Sequence, residues 1–164
     1  MLSRRWLLTG GVFGVAALAA QRFLKPGAPH AEAVFPVMHS DAEWRAKLTA
    51  DQYAVLRQEG TERPFTSPLL DEHRKGAFGC AGCDLDLFAS ETKFDSGTGW
   101  PSFWKPLDKA VGEVSDSSFG MERIAVHCAQ CGGHLGHVFD DGPAPTGLRY
   151  CMNGVALTFK PATA

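Results

Sequence analysis

The stretch Met121-Glu-Arg-Ile-Ala-Val-His-Cys128-Ala-Gln-Cys131 decides how the rest of the 164-residue chain is read. In an extended backbone successive side chains point to opposite faces. Met121 and Arg123 then fall on one side, and Glu122, Ile124, Val126 and Cys128 on the other. A two-residue period bounded by glycines and prolines predicts antiparallel strands. The run closes on two cysteines with two residues between them, a spacing that lets both thiols of one turn face a single ion.

Working outward, strands are predicted near 77–80, 85–88, 111–115, 120–128, 135–139, 147–153 and 155–160. Before Pro64 the pattern is helical. Ser40 stands three residues ahead of Glu43, and Thr49 three ahead of Gln52, the spacing of reciprocal caps at helix starts. Trp44 and Leu48 on the first helix, and Tyr53 and Leu56 on the second, give each an apolar side to bury. Residues 21–39 hold Pro26, Gly27, Pro29 and Pro36 and read as a linker. The fold class expected is mainly β with a few short N-terminal helices, two antiparallel sheets forming one compact, barrel-like domain.

With 45% hydrophobic and 21% charged residues the chain can bury a core, which excludes extensive disorder. A formal charge of -2 offers no basic stripe for nucleic acid or anionic lipid. At the amino end, Ser3-Arg4-Arg5-Trp6-Leu7-Leu8 precedes an uncharged apolar run from Leu7 to Ala20 that is short for a bilayer span. This is the layout of a twin-arginine export signal, with Ala17-Leu18-Ala19 and Ala31-Glu32-Ala33 as rival cleavage sites. A periplasmic protein is expected, with an uncleaved membrane anchor as the alternative. The division expected is a signal and linker over 1–33 and a folded domain over 34–164.

Four of the five cysteines form Cys80-Ala-Gly-Cys83 and Cys128-Ala-Gln-Cys131. Together they fit a tetrahedral four-thiolate site for one structural zinc ion. Two disulfides, or one redox-active dithiol, are the competing readings for an exported protein. Neither pair is followed by the helical pattern that a redox motif needs, and twin-arginine cargo folds before export, so zinc is favoured. Cys151 is left over, in Gly147-Leu-Arg149-Tyr-Cys151-Met-Asn153-Gly154. On a strand Arg149, Cys151 and Asn153 share one face, and a cation near the thiol favours the nucleophilic thiolate. His134-Leu-Gly-His137 supplies two imidazoles that fit surface positions, a second metal or acid-base work.

The run from Cys128 to Asn153, together with Gly99-Trp100-Pro101-Ser102-Phe103-Trp104 and Thr61-Glu62-Arg63-Pro64-Phe65, resembles the signatures of B-type methionine sulfoxide reductases. The resemblance spans residues 40–160 and implies an enzyme reducing methionine-(R)-sulfoxide, free or protein-bound. It implies Cys151 as nucleophile, passing through a sulfenic acid, with His134, His137 and Asn153 polarising the departing oxygen and Arg149 tuning the thiol. Trp100 and Phe103 would line the substrate pocket. Many relatives carry a resolving cysteine immediately before the Gly-Trp-Pro-Ser-Phe motif, where this chain has Thr98. A thioredoxin-like or other external thiol is therefore expected to regenerate the enzyme, which is expected to act as a monomer. A zinc-binding interaction module without chemistry is the alternative. A zinc hydrolase is excluded, because four thiolates leave no open coordination position.

Overall fold

The computed structural model describes residues 34–163. The signal-like segment and both small-residue cleavage motifs lie outside them. Helix α1 (Asp41–Lys47) opens with the Ser40 hydroxyl accepting the Glu43 N–H, while the Glu43 carboxylate accepts the Ser40 N–H. Helix α2 (Ala50–Gln58) repeats the device with Thr49 and Gln52. Both helix starts agree with the capping pattern in the sequence, and Trp44, Leu48, Tyr53 and Leu56 are buried. Among the described residues no helix is long and apolar enough to cross a membrane.

Nine strands follow: β1 (Gly76–Cys80), β2 (Asp86–Ala89), β3 (Lys93–Phe94), β4 (Ser102–Phe103), β5 (Val111–Asp116), β6 (Arg123–Cys128), β7 (His134–Phe139), β8 (Arg149–Met152) and β9 (Leu157–Pro161). They form two antiparallel sheets, one of three strands in the order β2-β1-β9 and one of six in the order β3-β4-β8-β7-β6-β5. All seven strands predicted from the sequence are present, with ends shifted by up to three residues. The strand expected from residue 120 starts at Arg123, because Ser118–Gly120 turn as a 3-10 helix. Strands β3 and β4 went unpredicted, since two residues carry no readable period.

The core is aromatic. Phe88 and Phe103 stack with centroids 4.3 Å apart, and Phe78 meets Phe103 edge-on at 5.0 Å. Leu87, Val126, Leu135 and Met152 complete a fully buried layer. This corrects one sequence expectation. Phe103 is 0% exposed and pairs with Tyr150, whereas its neighbour Ser102 pairs with Cys151. Strand alternation turns Phe103 to the core side of the sheet, away from the thiol, so it does not line a substrate pocket. Phe103→Ala is expected to cost about 3–5 kcal/mol in urea unfolding, as removal of a buried ring does; a loss below about 1 kcal/mol would contradict a core position.

Candidate active site and metal centre

The two Cys-x-x-Cys turns have the same backbone. The Cys80 N–H donates to Leu85 O and the Asp84 N–H to Cys80 O, both at 2.8 Å; the Cys128 N–H donates to Gly133 O and the Gly132 N–H to Cys128 O, both at 2.9 Å. In each turn the residue after the second cysteine is left-handed, Asp84 at φ 66° and Gly132 at φ 69°. Asp and Gly are residue types that tolerate this conformation. The glycine at 132 is also needed for room, since a Cβ there would lie 2.3 Å from the Phe35 ring.

These turns bring all four Sγ atoms within 4.8 Å of one another. The close pairs run between turns, Cys80 to Cys131 at 3.7 Å and Cys83 to Cys128 at 3.5 Å. Four thiolates around one zinc at about 2.3 Å stand about 3.8 Å apart, so the cluster fits a tetrahedral ion. The sulfurs are too distant for disulfides, and all five cysteines are free. The donor set is that of a closed structural zinc site, and Cys151 is not in it.

Cys151 sits in the middle of the six-stranded sheet. Reading across the register, Phe94, Ser102, Cys151, His137, Ala125 and Val114 form one cross-strand row and share a face. His134 joins that face through a bulge. From the Val126–Gly136 pair to the His127–His134 pair, β6 advances one residue while β7 advances two. In a regular strand residues three apart point to opposite faces. The extra residue restores the phase, and the two imidazole centroids stand 5.4 Å apart. Gly136 between them is fixed by close approach: a Cβ there would lie 2.1 Å from the Cys151 carbonyl and push β8 off β7.

The two histidines differ electrically. His134 is 6% exposed and its Nε2 has no hydrogen-bond partner. Burial, reinforced by the His137 charge, pushes its pKa down to about 4, so the ring is neutral at pH 7. His137 Nε2 instead lies 2.8 Å from Asp116 Oδ2 on β5. The Ser118 hydroxyl and N–H, with the His137 ring, hold the Asp116 carboxyl well below the usual carboxylate range. Asp116 also binds Arg123 Nη2 at 2.6 Å.

Arg149 makes a two-pronged ion pair with Asp141, Nε at 2.8 Å and Nη2 at 2.7 Å, and its guanidinium covers the Phe139 ring at 4.4 Å. The Asp141 carboxylate, and less strongly the Cys151 sulfur, tighten the guanidinium's hold on its proton. Trp100 is half-buried and donates its indole N–H to Glu62 O at 3.1 Å. Asn153 lies beyond the end of β8 and is 3% exposed. Its Oδ1 accepts the Glu62 N–H at 2.9 Å and its Nδ2 donates to Leu135 O at 3.0 Å. The side chain expected to polarise an oxygen is thus occupied at both ends with backbone, as a latch.

Sequence reasoning missed two residues. Asp116 reaches His137 only through the pairing of β5, β6 and β7, which no local pattern announces. Glu62 is half-buried, and its carboxylate accepts the N–H groups of Gly154 and Val155 while its own backbone holds Asn153 and Trp100. The signal for it was its place in the Thr61–Phe65 motif.

A neutral buried His134 has a sign-definite effect on stability. Its folded pKa lies below the ordinary 6.5, so between about 6.5 and 4 the unfolded chain binds the extra proton and stability falls as pH is lowered. The loss approaches about 3 kcal/mol below pH 4, and His134→Gln is expected to flatten that part of the stability-pH curve. For the metal centre, chelation is expected to release one zinc per chain and lower Tm, because the binding energy of such a site is also folding energy. A Tm unmoved by metal removal would contradict a structural role.

The SelR domain matches residues 48–161 of the chain. Similar curated proteins bear the name peptide methionine sulfoxide reductase MsrB. That of Agrobacterium fabrum is 57% identical over 126 residues, covering 76% of this chain and 93% of that protein. The Pseudomonas putida protein is 61% identical over 120 residues, covering 73% and 90%. The protein of Methanosarcina barkeri is 55% identical over 125 residues, covering 76% and 88%.

Proposed function

This chain belongs to the SelR-domain family, and from that premise we propose that it is a zinc-stabilised reductase of methionine-(R)-sulfoxide, free or within oxidised proteins. The observation that carries the reading is the face shared by Cys151, His137 and His134, with a free sulfur outside the metal cluster. A binding module would have no use for that grouping.

In the proposed reaction the Cys151 thiolate attacks the sulfoxide sulfur, with Arg149 as the cation suited to the anionic form. The sulfur–oxygen bond of the substrate breaks and the oxygen finishes on Cys151. Cysteine thiol and sulfoxide thus become sulfenic acid and methionine, and Cys151 is the group oxidised. The departing oxygen needs a proton. His137, whose ring is held by the Asp116 carboxylate 2.8 Å from its Nε2 and which shares the face of Cys151, is the proton carrier. His134, neutral above about pH 4, serves as a hydrogen-bonding group whose open Nε2 meets the oxygen directly or through water. Trp100, fixed by Glu62, offers an indole face to the S-methyl group.

With the other four cysteines in the metal cluster and Thr98 where relatives carry a resolving cysteine, an external thiol completes the cycle. It attacks the sulfenic sulfur and releases water; a second thiol then frees Cys151 as a disulfide forms. A thioredoxin-like protein outside the cytoplasm is the donor proposed, acting on a monomer. Export through the twin-arginine route, with residues 1–33 as signal and linker, rests on Arg4-Arg5 and the apolar run that follows. The test is turnover of the separated sulfoxide epimers with dithiothreitol. The R epimer alone is expected to react, Cys151→Ser to abolish turnover with zinc content unchanged, and Asp116→Asn to lower kcat by about 10²-fold. Turnover surviving in Cys151→Ser would refute the mechanism.

A further inference from the structure

Thr98 is connected to Cys151. Its hydroxyl oxygen lies 3.7 Å from the Cys151 sulfur. Behind it runs a chain of hydroxyls: Thr98 to Ser96 at 2.8 Å, Ser96 to Ser102 at 2.7 Å, and Ser102 to the Trp100 carbonyl at 3.1 Å. Ser102 is 0% exposed, which shields this anchored end from water, while Ser96 and Thr98 are half-buried.

Each hydroxyl has one proton to give and two lone pairs to fill, so the chain has two arrangements. With Ser102 donating to the Trp100 carbonyl, Ser96 donates to Ser102, the Ser96 oxygen receives the Thr98 N–H at 3.5 Å and the Thr98 hydroxyl, and Thr98 presents a lone pair to the sulfur. With Ser102 donating to Ser96 instead, Ser96 donates to Thr98 and Thr98 to the sulfur. A thiolate only accepts and selects the second arrangement; the O–H of a sulfenic acid, like a thiol S–H, donates and is met by the first.

We infer that Thr98 is a catalytic residue of the second half of the cycle: its hydroxyl oxygen accepts the O–H of oxidised Cys151 and holds the sulfenic acid until the external thiol arrives. Ser96 and Ser102 are positioning residues that keep the Thr98 lone pair turned to the sulfur. This rests on the sulfenic-acid reading above and divides the work at one atom. Arg149 faces the anion that attacks, and the hydroxyl chain, with Ser102 turned to the Trp100 carbonyl, holds the neutral product that waits. The position that gives relatives a disulfide partner here gives a hydrogen-bond acceptor.

The zinc-loaded enzyme is oxidised with one equivalent of methionine-(R)-sulfoxide without reductant, hydrogen peroxide is then added as the oxidant that takes the sulfenic acid to sulfinic acid with release of water, and the surviving sulfenic acid is captured at intervals with a dimedone probe and counted by intact mass. The decay rate, read after formation, is the observable. Thr98→Val, which keeps the shape and removes the acceptor, is expected to speed the loss of sulfenic acid to further-oxidised forms about tenfold, the effect of one lost hydrogen bond of about 1.4 kcal/mol. Thr98→Ser is expected to restore the slow decay, and Ser96→Ala to move it in the Thr98→Val direction, zinc content reporting that each variant is folded. Wild-type decay in both Thr98→Val and Ser96→Ala overturns the inference alone, as does a Thr98→Ser decay as fast as that of Thr98→Val. A wild-type enzyme that reduces the sulfoxide yet never captures the probe overturns the sulfenic-acid reading beneath it.

Discussion

Four thiolates drawn to one point are the constraint on which the rest of this structure depends. One Cys-x-x-Cys turn links β1 to β2 in the three-stranded sheet, and the other links β6 to β7 in the six-stranded sheet. A shared ion fastens the two sheets where their turns meet. The fold needs such a fastening, because several elements are too short to hold themselves: β3 and β4 are two residues each. A structural zinc site contributes on the order of 10 kcal/mol, comparable to the whole net stability of an ordinary domain.

What the clamp fixes also sets the surroundings of Cys151. The second turn runs directly into β7, whose bulge turns His134 to the face of His137, and whose glycine admits the Cys151 backbone at close range. From the other side the Glu62 segment closes over the end of β8. Its carboxylate caps Gly154 and Val155, its N–H holds Asn153, and its carbonyl holds the Trp100 indole. The end of β8 that carries Cys151 and the Trp100 indole are thus tied to one residue of the amino-terminal segment. An amide latch satisfied at both ends is stiff, since releasing it would leave buried polar groups unpaired.

Around the sulfur the charges are sorted by burial. The dry imidazole of His134 is kept neutral by desolvation, while that of His137 faces a carboxylate itself held by Arg123 and Ser118. Arg149 keeps its charge beside the thiol through a paired contact with Asp141 and the face of Phe139. Two histidines three residues apart in the chain so stand in different electrostatic surroundings, one dry and one beside a carboxylate.

The sequence by itself determined the chemistry-bearing residue types and the local structure that spacing encodes. Capping boxes at Ser40 and Thr49, the alternation along β6, and the cysteine pairs are patterns within a few residues, where backbone geometry leaves little choice. Tertiary structure alone decided what depends on register. It placed Asp116 against His137 across three strands, turned Phe103 into the core, occupied the Asn153 amide with backbone, and brought the Ser96–Ser102 hydroxyls up behind Thr98. A shift of one residue in pairing reverses every side chain's face, so such contacts exist only once all the strands have settled against one another.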